Sequence, residues 1–537
     1  MERNFADVFE VAADAVPDRE AVVCGDRRLS YAELEERANR LAHHLAAAGI
    51  GPGDHVACYL PNGPEYLEAM LAAHKLRAAT VNVNWRYVAD ELRYLLTDSD
   101  AKAIVYDARF APTLAKVADD LPLLGERLVV GSDGGPGAGV SPIGEVPRAT
   151  GYEEALAAAP PERDFPARSG EDLYVLYTGG TTGMPKGVLW HQAEILSGSL
   201  GDLDGARTPE DVAERARRGR DRALPACPLM HGAAQWVSLA TLFAGGTVIF
   251  DPGMRLDAHR LARLLAAERV TVITVVGDAV GRPLADALME LGDEIDLSSM
   301  RVVLNSGAFL SPPVKDALLG QLPGAVVYDT FGSSESGTFA RTVSGRGETP
   351  AQGRFTVSEH AAVLDESLRP VEPGSGRVGR LARSGNVALG YYNDPEKSAA
   401  TFPVIDGVRW CVTGDHATVD ADGTIVLLGR GSACINSGGE KVYPDEVEAA
   451  LKSHPGIADA MVVGLPDERF GERVVALVVP RSAGGVPSDL DAHVRAKLAG
   501  YKTPRAVVAV EAVERFPSGK PDYGWGKATA AALLVGE

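Results

Sequence analysis

One pattern narrows the fold more than any other: short apolar runs alternate with helical stretches along much of the chain. The runs His55 to Leu60, Ala103 to Tyr106, Thr247 to Phe250, Val270 to Val276, Arg301 to Leu304 and Val326 to Tyr328 are short and strongly apolar. Such runs predict strands buried on both faces. Tyr31 to Ala48 reads as an amphipathic helix entered after Ser30, with Glu33 in capping-box position. Glu65 to Lys75 and Asp257 to Glu268 read as further helices. A βα rhythm of this kind implies mostly parallel sheets covered by helices, an α/β fold.

From Gly374 the texture becomes antiparallel, and Asp420-Ala421-Asp422-Gly423 predicts a hairpin turn between Ala417 to Val419 and Thr424 to Leu428. From about Ile435 the tail reads as a compact α+β module. It comprises a helix over Pro444 to His454, strands over Ala460 to Val463 and Arg473 to Val479, and a helix over Leu490 to Ala499. A chain of 537 residues exceeds what one hydrophobic core supports, so at least two domains are expected. The loops Ser132 to Val140 (glycine-rich) and Asp202 to Arg222 (charged) interrupt this order.

Composition excludes several classes. A formal net charge of −20 disfavours a nucleic-acid or anionic-membrane partner. The longest apolar stretch, Ala233 to Phe250, is broken by Gln235, Ser238, Thr241 and Gly245-Gly246, which suits a core helix and strand rather than a membrane span. The cysteines Cys24, Cys58, Cys227, Cys411 and Cys434 follow no metal spacing and suit a reduced, cytoplasmic protein.

The strongest chemical signal is Tyr177-Thr178-Gly179-Gly180-Thr181-Thr182-Gly183-Met184-Pro185-Lys186-Gly187-Val188, which follows the apolar run Leu173 to Leu176. Glycines let the backbone approach a polyanion and present N–H groups as an anion-binding nest. Thr178, Thr181 and Thr182 add hydroxyls, and Lys186 adds a positive charge. The order is not that of a Walker A loop, because Lys186 precedes Gly187.

These residues resemble the phosphate-binding signature of the adenylate-forming superfamily, which includes acyl-CoA synthetases, peptide-synthetase adenylation domains and luciferases. Gly179 stands where most members carry serine. The resemblance continues in order along nearly the whole chain. Pro228-Leu229-Met230-His231-Gly232 resembles the aromatic gate, and Asn305-Ser306-Gly307-Ala308 the adenine-side loop. Phe331-Gly332-Ser333-Ser334-Glu335 resembles the metal and nucleotide motif. Gly390-Tyr391-Tyr392-Asn393-Asp394-Pro395, Thr413-Gly414-Asp415, Gly429-Arg430, Gly438-Gly439-Glu440-Lys441 and Pro517-Ser518-Gly519-Lys520 follow. Val276-Gly277-Asp278-Ala279 with Arg282-Pro283, Asn436-Ser437, and Pro521-Asp522-Tyr523 after Lys520 are similar to actinobacterial acyl-CoA synthetases of the steroid side-chain type, and Ala433 replaces the usual acidic hinge residue.

The resemblance implies a large N-terminal domain over residues 1–430, of mostly parallel sheets layered with helices plus a β-barrel-like antiparallel part. It further implies a hinge over 431–434 and a small mobile α+β domain over 435–537. It also implies two half-reactions on ATP, an acid and CoA. Lys520 would stabilise charge at the α-phosphate, Thr181 and His231 would serve the same step, and Glu335 would hold Mg²⁺. Nucleotide contacts would fall to Thr178, Gly179, Gly180, Thr181, Thr182, Gly183, Lys186, Gly307, Ala308, Phe331, Gly332, Ser333, Ser334, Asp415 and Arg430. Asp415 suits the ribose hydroxyls as an acceptor, and Phe331 suits either adenine stacking or core packing. The acid would lie against His231, Ala233, Trp236, Val237, Gly277, Asp278, Asn305 and Ser306, and the second half-reaction would use Gly438, Gly439 and Lys441. Asp278 suits either a polar substrate group or a helix cap.

Three functions are compatible with these motifs. The first is acid–CoA ligation, with Trp236 shortening the pocket for a compact, aromatic acid unless it points into the core. The second is adenylation of nitrite to diazotise an aryl amine in natural-product biosynthesis. The third is a non-catalytic nucleotide binder. The sequence leaves the acid, the acceptor and any homo-oligomer open. His191 and His259 read as packing or surface residues, and Arg215, Arg217, Arg218, Arg220 and Arg222 as a solvated helix face or a site for CoA phosphates.

Overall fold

The computed structural model describes residues 3–131, 145–180, 183–200, 205–206, 208–347, 353–355, 360–430, 433–437, 440–467, 471–482, 485–498, 500–516 and 519–535. The largest sheet has eight strands, in the spatial order Gly337–Ser344, Val326–Ser333, Val302–Asn305, Val272–Val275, Arg222–Pro225, Thr247–Phe250, Glu20–Cys24 and Arg27–Ser30. Its interior pairings are parallel, and each edge strand is added by an antiparallel hairpin. A second sheet, Ala79–Asn82, His55–Tyr59, Ala101–Asp107, Glu126–Val130 and Ala149–Gly151, is parallel throughout.

Side chains alternate across a strand, and the two faces of the large sheet feed different cores. Val22, Val248 and Phe250 pack with the helices Phe5–Ala15, Tyr31–Ala47 and Pro64–Lys75. Val23, Leu224, Ile249, Ile273 and Val303 face the helices Ala258–Ala267, Gly277–Leu291 and Pro312–Gln321. The capping box at Tyr31–Ala47 forms as its sequence predicts: Glu33 N–H donates to Ser30 Oγ (3.2 Å) and Ser30 N–H to Glu33 Oε2 (2.7 Å).

Three expectations need correction. The antiparallel part begins before Gly374, because Arg354–Phe355 and Ala361–Leu364 already belong to the sheet formed by Gly379–Ser384, Val408–Val419 and Ile425–Arg430. The strand expected to end at Tyr328 runs to Ser333, since the hairpin partner Gly337–Ser344 supplies ladder bonds to residues too polar to look like a strand. The stretch Tyr177 to Val188, read as following a strand that ends at Leu176, is itself largely strand. Leu173–Gly180 and Gly183–His191 form an antiparallel hairpin with Thr178 opposite Lys186, joined by Gly390–Tyr391; Thr181 and Thr182 lie outside the described residues.

The tail forms its own sheet from Ile435–Ser437, Glu440–Val442, Ile457–Asp467, Gly471–Pro480 and Ala506–Ala509. The helix Pro444–Lys452 covers one face and Tyr523–Val535 the other. The helix expected to reach Ala499 ends at Arg495.

One buried charge cluster ties the N-terminal helix to the layers behind it. Lys75 is fully buried and donates to Glu10 Oε1 (2.6 Å) and Glu35 Oε1 (2.8 Å). Burial alone would raise the Glu10 carboxyl, but Lys75 and Arg168 hold it below its usual range. Removing one member of a buried pair strands its partners. Lys75→Ala should therefore lower the free energy of unfolding by about 3–5 kcal/mol, measured as a shifted denaturant midpoint at an unchanged slope.

Candidate active site

The carboxyl ends of parallel strands are where an open α/β sheet offers a crevice, and the site residues gather there. Val276, Gly277 and Asp278 follow Val272–Val275, and Ser306, Gly307 and Ala308 follow Val302–Asn305. Gly307 has a φ of +82° and Gly277 a φ of +56°, conformations costly for any other residue. Asn305 fixes this corner: its Oδ1 accepts from Gly277 N–H (2.8 Å) and its Nδ2 donates to Ala308 O (3.0 Å) and Asp329 Oδ1 (2.8 Å). These bonds hold the loop.

Asp278 needs a similar correction. Its Oδ1 accepts from Ser311 N–H (2.7 Å), at the entrance of Pro312–Gln321, and Arg282 lies 3.4 Å from Oδ2. It does not cap its own helix; it ties two helices together.

The tail module closes over this corner. A Cβ on Gly519, whose φ is +76°, would fall 2.7 Å from Val276 Cγ1. The Lys452 ammonium stands 5.5 Å from the Phe309 ring centre, and His416 Nδ1 is 3.0 Å from Tyr443 Oη. His231 is where this closure is felt. Burial, and then the nearby Lys520 ammonium and Arg86 guanidinium, push its imidazole down to about 4. Its Nε2 is buried and has no hydrogen-bond partner among the described residues. Lys520 and His231, nearly three hundred positions apart in the chain, thus lie near enough for the charge of one to bear on the other.

Glu335 occupies the turn between Val326–Ser333 and Gly337–Ser344. Ser333 and Ser336 brace that turn, Oγ to Oγ at 3.0 Å, while Trp190 Nε1 donates to Ser334 O (2.8 Å). Tyr391 Oη donates to Glu335 Oε1 (3.0 Å), leaving the rest of a half-buried carboxylate available. Lys186 is ion-paired to Asp394. Tyr391 and Asp394 are site residues that the sequence reading quoted within a motif but gave no role; a phenol and a carboxylate beside Glu335 and Lys186 are visible only once the hairpin Leu173–Gly180/Gly183–His191 meets Gly390–Tyr391. Phe331 packs on Phe339 and Phe355, with ring centres 5.9 and 5.3 Å apart, and remains half-exposed.

Asp415 is buried and pairs in register with Arg430, and its N–H donates to Thr413 Oγ1 (3.2 Å). Gly438 and Gly439 lie outside the described residues; Lys441 lies on Glu440–Val442, opposite Asn436. Gly179, Gly180 and Gly183 flank the hairpin tip, with Gly332 and Ser333 at the end of Val326–Ser333.

The helix Gly232–Phe243 follows His231 as its sequence predicts. Ala234, Gln235, Ser238 and Leu239 are buried, whereas Ala233, Trp236, Val237 and Ala240 form a partly exposed face, three and four residues apart. Trp236 Nε1 donates to Tyr174 Oη (3.2 Å), which donates to Gln235 Oε1 (2.7 Å). His191 and His259 are bland as expected, at Glu171 O (2.8 Å) and Glu290 Oε2 (2.8 Å). The arginine run splits: Arg217 and Arg218 pair with Glu210 and Glu214 on a surface helix, while Arg222 joins Glu20 and Glu268.

Comparison with known proteins defines the class. The family described as AMP-binding enzyme matches residues 9–392, and that described as AMP-binding enzyme C-terminal domain matches 446–520. This chain belongs to the AMP-binding, adenylate-forming enzyme family. It is 45% identical over 540 residues to a 3-oxocholest-4-en-26-oate–CoA ligase of Rhodococcus rhodochrous, covering 98% of this chain and 96% of that one. It is 44% identical over 549 residues to the medium-chain acyl-CoA ligase Mig of Mycobacterium avium, covering 97% of each. The fold matches that of the anthranilate CoA ligase AuaEII in complex with anthranoyl-AMP, with a TM-score of 0.82 at 23% identity over 99% of this chain and 98% of that one.

The buried histidine has a consequence for acid stability. The folded protein keeps His231 neutral down to about 4, whereas the unfolded chain takes up that proton near 6.5. Acid therefore favours unfolding. Stability should fall as pH drops from about 6.5 to about 4, and His231→Gln should shrink that fall in denaturant titrations run across the window.

Proposed function

We propose that the chain activates a compact carboxylic acid as its AMP anhydride and passes the acyl group to CoA. It is an ATP-dependent, AMP-forming acid–CoA ligase. The observation that carries the reading is the approach of the loop bearing Lys520 to Val276, at the carboxyl end of a parallel strand, which brings the ammonium near His231. The nitrite alternative finds no support among the relatives, whose names state carboxylic acids and CoA.

In the first half-reaction an oxygen of the substrate carboxylate attacks the α-phosphorus, and the bond to pyrophosphate breaks. Charge builds on the phosphate oxygens, and the Lys520 ammonium stabilises it. The hairpin holding Lys186 and the threonines receives the outer phosphates, and Asp415 the ribose. Mg²⁺ keeps several of its waters and takes one or two carboxylates together with substrate phosphates. Glu335 is the residue that would hold it, and the ion would neutralise charge on the phosphates. In the second half-reaction the CoA sulfur attacks the acyl carbon, and AMP leaves with the bonding electrons. Rotation of the tail module would bring the strand bearing Lys441 to the cleft. Among the described residues no helix is long and apolar enough to cross a membrane. Among the described residues no two cysteines are joined in a disulfide, which suits a reducing, cytoplasmic setting.

Lys520→Ala should slow adenylation by about two to three orders of magnitude, read as pyrophosphate exchange, while conversion of a supplied acyl-AMP to thioester suffers far less. Equal losses in both would remove the assignment.

Acid size follows from Trp236. Its indole lies on the partly exposed helix face, donates to the buried Tyr174 and packs against the main core; in this reading its exposed side would shorten the space beyond His231. In a screen of fatty, aromatic and steroid acids, Trp236→Ala should gain bulky acids and lose small aromatic ones. A tryptophan serving only the core would instead cost about 3–5 kcal/mol of stability and leave the preference unchanged.

A further inference from the structure

Lysine has four rotatable bonds, so its ammonium is placed accurately only if the backbone beneath it is fixed. The loop bearing Lys520 is poorly suited to hold itself. It contains Gly519 at a φ of +76°, and it lies between the end of one strand and the start of the last helix.

Its internal bonds form a tight turn: Phe516 N–H donates to Lys520 O (2.8 Å), Gly519 N–H to Phe516 O (2.8 Å) and Asp522 N–H to Glu514 O (3.1 Å). These close the loop on itself without anchoring it to the module. Two side chains supply anchors. On the entering limb, Arg515 donates from Nη2 to both oxygens of Asp459 (2.9 and 2.8 Å), and its Nη1 lies 3.4 Å from Gly519 O.

On the leaving limb, Tyr523 carries its phenol to Glu448 Oε1 (3.3 Å) and Asp445 Oδ1 (3.4 Å). Glu448 is 4% exposed and is itself fixed by Val462 N–H (2.9 Å). Asp459 and Val462 lie on one strand, Ile457–Asp467, so both anchors are mounted on the same rigid element. Glu448 lies on Pro444–Lys452, one turn before Lys452, whose ammonium meets Phe309 of the large part at 5.5 Å. The helix that holds Tyr523 is thus also one that touches the wall of the cleft.

We propose that Tyr523 is a positioning residue for the adenylation step: its hydroxyl, held by Glu448 and Asp445, fixes the leaving limb of the loop that places Lys520. Burial pushes the Glu448 carboxyl up to about 7, the cost of keeping an acceptor there. The inference rests on the assignment of Lys520 to the first half-reaction. It predicts an effect on that half alone, because in the second half-reaction Lys520 has no charge to stabilise.

Tyr523→Phe removes the hydroxyl and keeps the ring that packs near Met461 and Val463. The catalytic constant for pyrophosphate exchange should fall about tenfold, the scale of a catalytic group displaced by a fraction of an ångström. The KM for ATP and the acid, and thioester formation from supplied acyl-AMP, should stay within about twofold of the parent. Glu448→Gln keeps an acceptor of the same size for Tyr523 and should show a smaller loss, again in exchange only. Both variants use the full chain and the acid that gives the fastest exchange in the parent.

Parallel loss in both half-reactions, or no loss in exchange, would overturn the proposal. Hydrogen exchange of the segment Gly519 to Tyr523 should accelerate in Tyr523→Phe; unchanged exchange would overturn it even if the phenol affected rate. Should the parent form no acyl adenylate from any acid, the functional reading fails, while the hydrogen-exchange result still decides whether Tyr523 anchors the loop.

Discussion

The structure turns on a close approach of backbone to side chain: Gly519 against Val276. No Cβ fits at Gly519 without moving the valine, whose place is set by the strand Val272–Val275. That contact delivers the next residue, Lys520, to His231. It couples an interior strand of the large sheet to a loop of the tail module.

The large part is built to hold still. Its core pairings are parallel and buried between helices, and Asn305, Asp278 and the serines of the 333–336 turn lock the loops at the strand ends. The contacts to the tail are of another kind: a cation over a ring, a histidine to a phenol, a glycine on a valine. Each is weak taken singly, as contacts between parts of one chain commonly are.

Much of this was legible in the chain. The strand and helix pattern of the large part follows from apolar runs and caps, because burial on both faces leaves a simple signature. Lys520, Glu335 and Asp415 are ordinary polar residues taken singly, and they stand out only through motifs in a fixed order. What misled was polarity: Thr330 to Ser333 do not look like a strand, and the glycines of 179–183 do not look like a hairpin, since ladder bonds come from a partner that sequence windows do not contain.

The sequence by itself determined the class of the protein, since the order of its glycine, threonine, carboxylate and lysine motifs encodes a nucleotide site at strand ends. Only the tertiary structure decided the roles. Asp278 suited either a polar substrate group or a helix cap and is a tie between two helices; Tyr391 stood in a motif without a role and is the partner of Glu335. Tyr523 looked like a departure from a pattern, and it is joined to Glu448 from seventy-five positions away. The reason is physical: a hydrogen bond depends on distances of about 3 Å, and residues far apart in the chain reach that distance only after the sheets have formed.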